Sequence, residues 1–429
     1  MNKRMKNVLA AGAVSLLALS GCAAEGDGVS ADDAAEIADA AEITFLTFQS
    51  PNLTAEYWET QVAEVQELYP NLKVNIEYTP GLDRQGYAKQ LLATGTLPDV
   101  IWDVPLQDFV TAGALLPYDQ EDLTGIDVPS GTAQFDGKSY SLTVGAQVIP
   151  LVYYNKTEFE ALDLQVPTTF AELEDVAAAI AASGQTPFLV GGGADTWTST
   201  MLLNGIITTE VIGANADWVE QRKAGDVSFS DANFKGAVEK WMGLFDRGYF
   251  NTDALSVDYG QLSAKFANGE GVLYPMGSWA GATKADFEIG VFPLPGATTD
   301  TTLGLNYGQA LAVSATTKFP KEAQAFAIAM ATGQGTNEAQ LIFDTLIPVA
   351  TAFQVPAGLS PLIEATLDAY RSDGAARVDP FGWVQGPRAL PTGFSDEFNK
   401  GAQQLLSGSI TIDQFLAQID ASFDDLNAG

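Results

Sequence analysis

Apolar residues recur along this chain with two periods, and the alternation between them predicts an α/β fold. Ile43 to Phe48 is a strongly apolar run, read as a buried strand. A helix follows, with Thr54 as candidate N-cap. Trp58, Val62, Val65 and Tyr69 lie on one face of it at spacings of four, three and four. Pro70-Asn71 ends the helix, and Val74, Ile76 and Tyr78 then alternate as a half-buried strand. A second helix is expected from Asp83 to Thr94, with Gly95 as its stop signal, before a strand over Val100–Trp102. Strand, helix, strand, helix, strand is the order of a parallel sheet covered by helices. Ligands of such sheets bind beyond the carboxyl ends of the strands, where this chain has Gln49, Ser50 and Asp103. Asp103 could equally cap the next turn.

The same grammar resumes after Val144. Thr169-x-x-Glu172, after Pro167, is a capping box, and Phe170, Leu173, Val176 and Ile180 supply the buried stripe up to Gly184. Phe234, Val238, Trp241 and Phe245 share a face of another helix, and Lys321–Ala331 after Pro320 is a further one, stopped by Gly333. Pro187 to Val190 and Val272 to Met276 read as strands. Helical spacing assigns Trp58 and Trp241 to cores. Trp218 joins a core or packed surface, and Trp102 packs in its strand. No internal repeat is present.

The start of the chain follows neither period. Lys3, Arg4 and Lys6 precede an apolar run from Val8 to Leu19 and then Leu19-Ser20-Gly21-Cys22. A charged head, a short apolar middle and small residues at the end make a secretory signal, too short for a permanent membrane span. The last four residues resemble the lipobox of bacterial lipoproteins. That resemblance implies cleavage after residue 21, acylation of Cys22 and anchoring at the outer face of the cell membrane; the alternative is an ordinary signal with an incidental cysteine. Ala23 to Ala41 is Ala, Asp, Glu and Gly with few apolar residues, so residues 22–41 read as a flexible acidic tether reaching roughly 25 Å.

Composition narrows the chemistry. Without Lys3, Arg4 and Lys6, 18 basic side chains face 54 acidic ones, a net charge near −36. Nucleic-acid binding, which needs clustered Lys and Arg, is excluded as a working idea. The acidic surface keeps an exported protein soluble and does not by itself imply a cationic ligand. The chain has no His, so His-dependent triads and most catalytic zinc sites are ruled out. With Cys22 acylated, no thiol remains for a disulfide. Neither a metal nor a cofactor is expected. The Gly191–Gly193 run lacks the spacing of a dinucleotide or phosphate loop, so no ATPase is expected in this chain.

Several segments resemble the family 1 extracellular solute-binding proteins of ABC importers, the group containing maltose-binding protein. They are Val152-Tyr153-Tyr154-Asn155-Lys156 with Phe159, Pro167 and Phe170-x-x-Leu173; Phe266 to Gly271 with Tyr274-Pro275-Met276-Gly277-Ser278-Trp279; Val291 to Gly296; and Ala310 to Ser314 with Pro320 to Ala323. Phe170 stands where that family usually has Trp. The resemblance implies a two-lobed periplasmic-binding-protein-like fold of type II, each lobe a sheet flanked by helices with the ligand between them. By that analogy lobe one is 42–143 plus 289–332 and lobe two is 144–288 plus 333–429. It also implies capture of a sugar or oligosaccharide by lobe closure, delivery to a membrane permease, a monomeric state and no catalysis.

A sugar presents C–H faces and hydroxyl rims, so its site needs aromatic planes and fixed hydrogen-bonding groups. Trp197, just past the Gly-rich run, is a candidate platform or a cap on the lobe core. Trp279 occupies the position where the family usually places a Trp at the ligand. Trp383, in the loop Pro380-Phe381-Gly382-Trp383, either binds or packs. Gln147 lies where the first crossing between lobes is expected, and Asn306 and Gln309 lie near the opposite one. Two alternatives stay open. One is the same fold holding a peptide, a polyamine or, with no His and no free thiol, least readily a metal chelate. The other is a surface-anchored glycosidase, which needs two carboxylates about 5–10 Å apart.

Overall fold

The computed structural model describes residues 40–428 other than 131 and 385–387. Cys22, the leader and the tether up to residue 39 lie outside the described residues. The first five elements follow the sequence pattern: β1 (Ala41–Thr47), α1 (Ala55–Leu68), β2 (Leu72–Tyr78), α2 (Arg84–Thr94) and β3 (Val100–Trp102). β1 runs parallel to both neighbours, with Phe45 opposite Ile76 on one side and Val100 on the other. Thr54 caps α1 by accepting from the Tyr57 N–H, and Asp83 caps α2 by accepting from Gly86. Gly95 closes α2 at φ 68°, a left-handed position that favours glycine.

Seven further strands complete two sheets: β4 (Leu142–Val148), β5 (Leu151–Asn155), β6 (Leu273–Met276), β7 (Ile289–Pro293), β8 (Thr302–Val313), β9 (Ile347–Pro348) and β10 (Ala376–Val378). The large sheet has the order β9-β4-β8-β3-β1-β2, with β10 beside the start of β8. The small sheet is antiparallel, with β5 between β6 and β7. The main covering helices are α3 (Phe170–Ala182), α4 (Ala232–Asp246), α5 (Tyr259–Ala267), α6 (Pro320–Thr332), α7 (Gln334–Asp344), α8 (Phe394–Leu406) and α9 (Ile412–Ala428). Among the described residues no helix is long and apolar enough to cross a membrane.

Each sheet carries its own core. Phe45, Trp58, Trp102, Leu311 and Phe326 pack about the large sheet, and Phe170, Trp218, Phe229, Trp241 and Phe415 about the second lobe. A fully buried Phe contributes about 2 kcal/mol, so the C-terminal helices, which add Phe394, Phe398, Phe415 and Phe423, are integral to the second core. The Thr169–Glu172 capping box is present at the start of α3, and Phe170, Leu173, Val176 and Ile180 are its buried face. A third cluster, with Val148, Ile149, Leu151, Tyr153, Trp279, Leu341 and Ile347, packs where the chain passes between the sheets.

Four details differ from the sequence reading, one being that Ile347–Pro348, within the stretch 333–429 assigned to lobe two, pairs with β4 of the large sheet. The whole of β4 pairs in the large sheet, so the chain crosses at Ile149-Pro150 rather than at residue 144. Ile289–Pro293 pairs along its length with β5, so the return crossing follows Pro293 rather than preceding Ile289. Pro187 to Val190 is not a ladder strand: only Phe188 bridges, to Phe250 and Leu273. The Gly-rich run bends away beyond it, because Gly192 and Gly193 both donate to the Val257 carbonyl, at 3.0 and 2.9 Å.

Candidate ligand-binding site

The three tryptophans proposed from separate loops converge. Trp197 and Trp383 have ring centroids 5.8 Å apart at 90°, Trp197 and Trp279 6.0 Å apart at 72°, and Trp279 and Trp383 5.7 Å apart at 45°. Tyr259 extends the cluster, 5.2 Å from Trp197. The two contacts of Trp197 with Trp279 and Trp383 are edge-to-face, the arrangement aromatic quadrupoles favour, and the other two pairs are tilted. Trp197 and Trp383 are half-buried and Trp279 is 8% exposed.

Local sequence explains how each ring is aimed. Trp279 folds back over Gly277, where a Cβ would lie 2.0 Å from its Cζ3. Between them Ser278 is fully buried and docks on the crossing. Its Oγ accepts from the Val148 N–H, and its carbonyl accepts from the Tyr153 hydroxyl at 3.0 Å. Trp383 is carried by a turn in which the Trp383 N–H donates to the Pro380 carbonyl. Phe381 anchors that turn in the second core against Phe234 and Phe398, and Gly382 turns the chain at φ 82°. Trp197 sits in a short 3-10 helix, Thr196–Ser199. The preceding Asp195 accepts from the Tyr259 N–H at 2.9 Å, which ties that helix to α5.

A polar network joins α2, β3, β4 and β8. Asp103, at φ 62°, ends β3 in the left-handed region that Asp tolerates better than most residues. Its carboxylate takes an ion pair from Arg84 at 3.0 Å and a hydrogen bond from Gln85 at 3.1 Å. Arg84 lies over the Phe48 ring and also donates to Gln309 Oε1, which accepts from the Trp102 indole at 3.0 Å. Gln147 Oε1 accepts from Asn306 Nδ2 at 3.1 Å and Gln309 Nε2 at 3.3 Å. Positions three apart on a regular strand point to opposite faces. The β4–β8 register shifts on both sides of Gln309, which brings Asn306 and Gln309 to the same oxygen.

Gln49 and Ser50 follow β1. Gln49 is exposed, and Ser50 Oγ accepts from the Asn52 and Leu53 N–H groups, so Ser50 closes the local turn. Among the described residues neither forms a hydrogen bond or ring contact with the aromatic cluster. Two residues that sequence reasoning missed join the cluster to the large sheet. Asn52 Nδ2 donates to the Trp279 carbonyl at 3.0 Å and to Asp344 Oδ1 at 3.3 Å. Asp344 ends α7, and burial pushes its carboxyl up to about 7, against the opposing effects of the Asn52 hydrogen bond and the Arg84 charge. No local motif marks either residue, because both contacts join segments more than 200 positions apart. Among the described residues no cluster of three potential metal ligands occurs.

Two sheets joined by strand crossings, with the aromatic cluster tied to the large-sheet side through Asn52, form a two-lobed α/β fold. Residues 50–336 match the family model described as bacterial extracellular solute-binding protein, and the chain belongs to that family. It is 30% identical over 289 residues to the multiple sugar-binding protein of Streptococcus mutans serotype c, a match covering 62% of this chain and 66% of that one, just under two thirds of its length. It is 29% identical over 145 residues to the osmoprotective compounds-binding protein GgtB of Synechocystis sp., covering 31% of this chain and 33% of that one. Among solved structures, a chitin oligosaccharide binding protein superposes with TM-score 0.77 at 22% identity over 90% of this chain and 99% of its own. The solute-binding protein RafE in complex with raffinose gives 0.73 at 25% identity over 90% of this chain and all of its own.

Proposed function

We propose that this protein is the lipid-anchored, extracellular substrate-binding component of an ABC importer and that its cargo is an oligosaccharide. The observation that carries this reading is the convergence of Trp197, Trp279 and Trp383, with a separate hydrogen-bonded row of Asp103, Gln309, Gln147 and Asn306 linked through Arg84. Indole planes suit the C–H faces of sugar rings, and amides and carboxylates suit their hydroxyls. The sugar-binding names of the Streptococcus relative and of the two solved structures point the same way. Gln49 and Ser50 line the large-sheet side of the cleft in this reading. Ligand shifts the population toward the form in which both lobes touch it, and that form docks on a membrane permease. The chain acts as a monomer, has no catalytic role of its own and is held by acylated Cys22.

Calorimetric titration with raffinose and chitin oligosaccharides tests the cargo, with affinity expected at micromolar or tighter, about −8 kcal/mol or better. Clear binding of peptides or polyamines with no response to any sugar refutes it. Trp279→Ala tests the platform: affinity retained within about twofold, under roughly 0.5 kcal/mol, removes Trp279 from the site. Long incubation with oligosaccharides should release no hydrolysis product. Mass spectrometry of the membrane-extracted protein should find two or more acyl chains at Cys22, and Cys22→Ala should free the chain into the medium.

A further inference from the structure

Two buried or half-buried carboxylates near the aromatic cluster and the polar network sit in different situations. Asp103 is ion-paired with Arg84 and hydrogen-bonded by Gln85. Asp344 has a neutral donor, the Asn52 amide, and that same amide binds the Trp279 carbonyl. Its carboxylate is thereby tied through that amide to the backbone of Trp279, one of the three clustered tryptophans. The groups facing it from the packed elements are the Tyr57 phenol of α1, Tyr153 of β5, Tyr259 of α5 and the Arg84 guanidinium of α2. The Tyr153 hydroxyl is committed to the Ser278 carbonyl, and Arg84 is committed to Asp103. Asp344 keeps some accessible surface although its carboxylate is deeply surrounded, beside the Asn52 bridge to the Trp279 carbonyl. A largely dehydrated carboxylate in that position wants hydrogen-bond donors. A sugar stacked on Trp279 brings hydroxyl donors along its rim.

We propose that Asp344 is a ligand-binding residue of this cleft, accepting hydrogen bonds from adjacent hydroxyls of the carbohydrate stacked on Trp279. The proposal rests on the carbohydrate reading above and adds to it a linkage to protons. Dehydration holds the Asp344 carboxyl near 7, so at neutral pH about half the unliganded molecules carry a proton there. Hydroxyl donors favour the ionised form. Capture therefore displaces the proton, and affinity rises with pH until the free protein is ionised too.

The test is titration calorimetry of the mature chain with raffinose and chitin oligosaccharides at pH 5.5, 7 and 8.5, in buffers of different ionisation enthalpy. The expected result is affinity rising about tenfold from pH 5.5 to 8.5, with up to about half a proton released per sugar at pH 7. Asp344→Asn, nearly isosteric, should bind at least about tenfold more weakly at pH 8.5 and show no pH dependence across this range. Sugar binding that is flat with pH and without proton release in the wild type, or unchanged in the variant, overturns this proposal and leaves the carbohydrate reading intact. A wild-type protein that binds no sugar at any pH overturns both. The wild-type proton count does not depend on the variant folding.

Discussion

Asp344 makes the stability of the unliganded protein depend on pH in a direction opposite to that of most acidic residues. Its carboxyl titrates near 3.8 when the chain is unfolded and near 7 in the fold, where burial penalises the charge. Between those values the folded state holds more protons than the unfolded one, so stability falls as pH rises. Below about pH 4 both states are protonated and no penalty applies; above about pH 7 it applies in full. About three pK units at roughly 1.4 kcal/mol each amount to about 4 kcal/mol. Asp344→Asn abolishes the titration while keeping the oxygen that accepts from Asn52. Urea unfolding of both proteins without ligand, at pH 4.5, 6 and 8, gives the difference in unfolding free energy. About 1 kcal/mol of that penalty already applies at pH 4.5, so the variant should gain about 3 kcal/mol on the wild type across that series. Burial also raises Glu64, Asp122, Asp379 and Asp396, but these are shared by both proteins and cancel. A difference that stays within about 1 kcal/mol from pH 4.5 to 8 would refute the dehydrated carboxylate.

Arg84→Met keeps an apolar stem over Phe48 but removes the guanidinium 3.0 Å from Asp103, which is 6% exposed. Unfolding free energy at pH 7 should fall by about 3 kcal/mol, and a loss below about 1 kcal/mol contradicts a buried pair. Gly277→Ala places a methyl 2.0 Å from the Trp279 ring, so the indole must swing away. A stability loss of about 1–3 kcal/mol and shifted tryptophan emission are expected, and unchanged emission counts against the packing described. Trp383→Ala removes a ring that touches both other tryptophans, so sugar affinity should drop at least about tenfold; retention within twofold assigns the residue to packing alone.

Local physics made much of the fold legible. Thr54, Asp83, Gly95 and the Thr169–Glu172 box act within a few residues of themselves, and each does in the fold what its spacing implies. The parallel pairing of β1 with β2 and β3 followed from element order. Pro187–Val190 misled because its residues suit a strand while the glycines after it are drawn off by Val257. The crossing points were misplaced because hydrophobic pattern does not mark which sheet a buried strand joins. In the cleft, the tryptophans stood out by residue type and loop position. Asn52 and Asp344 are ordinary polar residues whose importance comes only from distant partners. Trp102, assigned to packing, also donates its indole proton to Gln309.

That last bond has a consequence for the polarity of the cleft floor. The Trp102 indole and the Arg84 guanidinium can only donate, so Gln309 must turn its oxygen to them and its nitrogen to Gln147. Gln147 in turn must offer oxygen, which also receives Asn306. The chain of amides is thus a one-way relay: flipping any member would set donor against donor. What Gln147 has left for an incoming solute is its Nε2, a pure donor. An indole in the core of one lobe dictates which end of the hydrogen bond the crossing strand can offer to cargo.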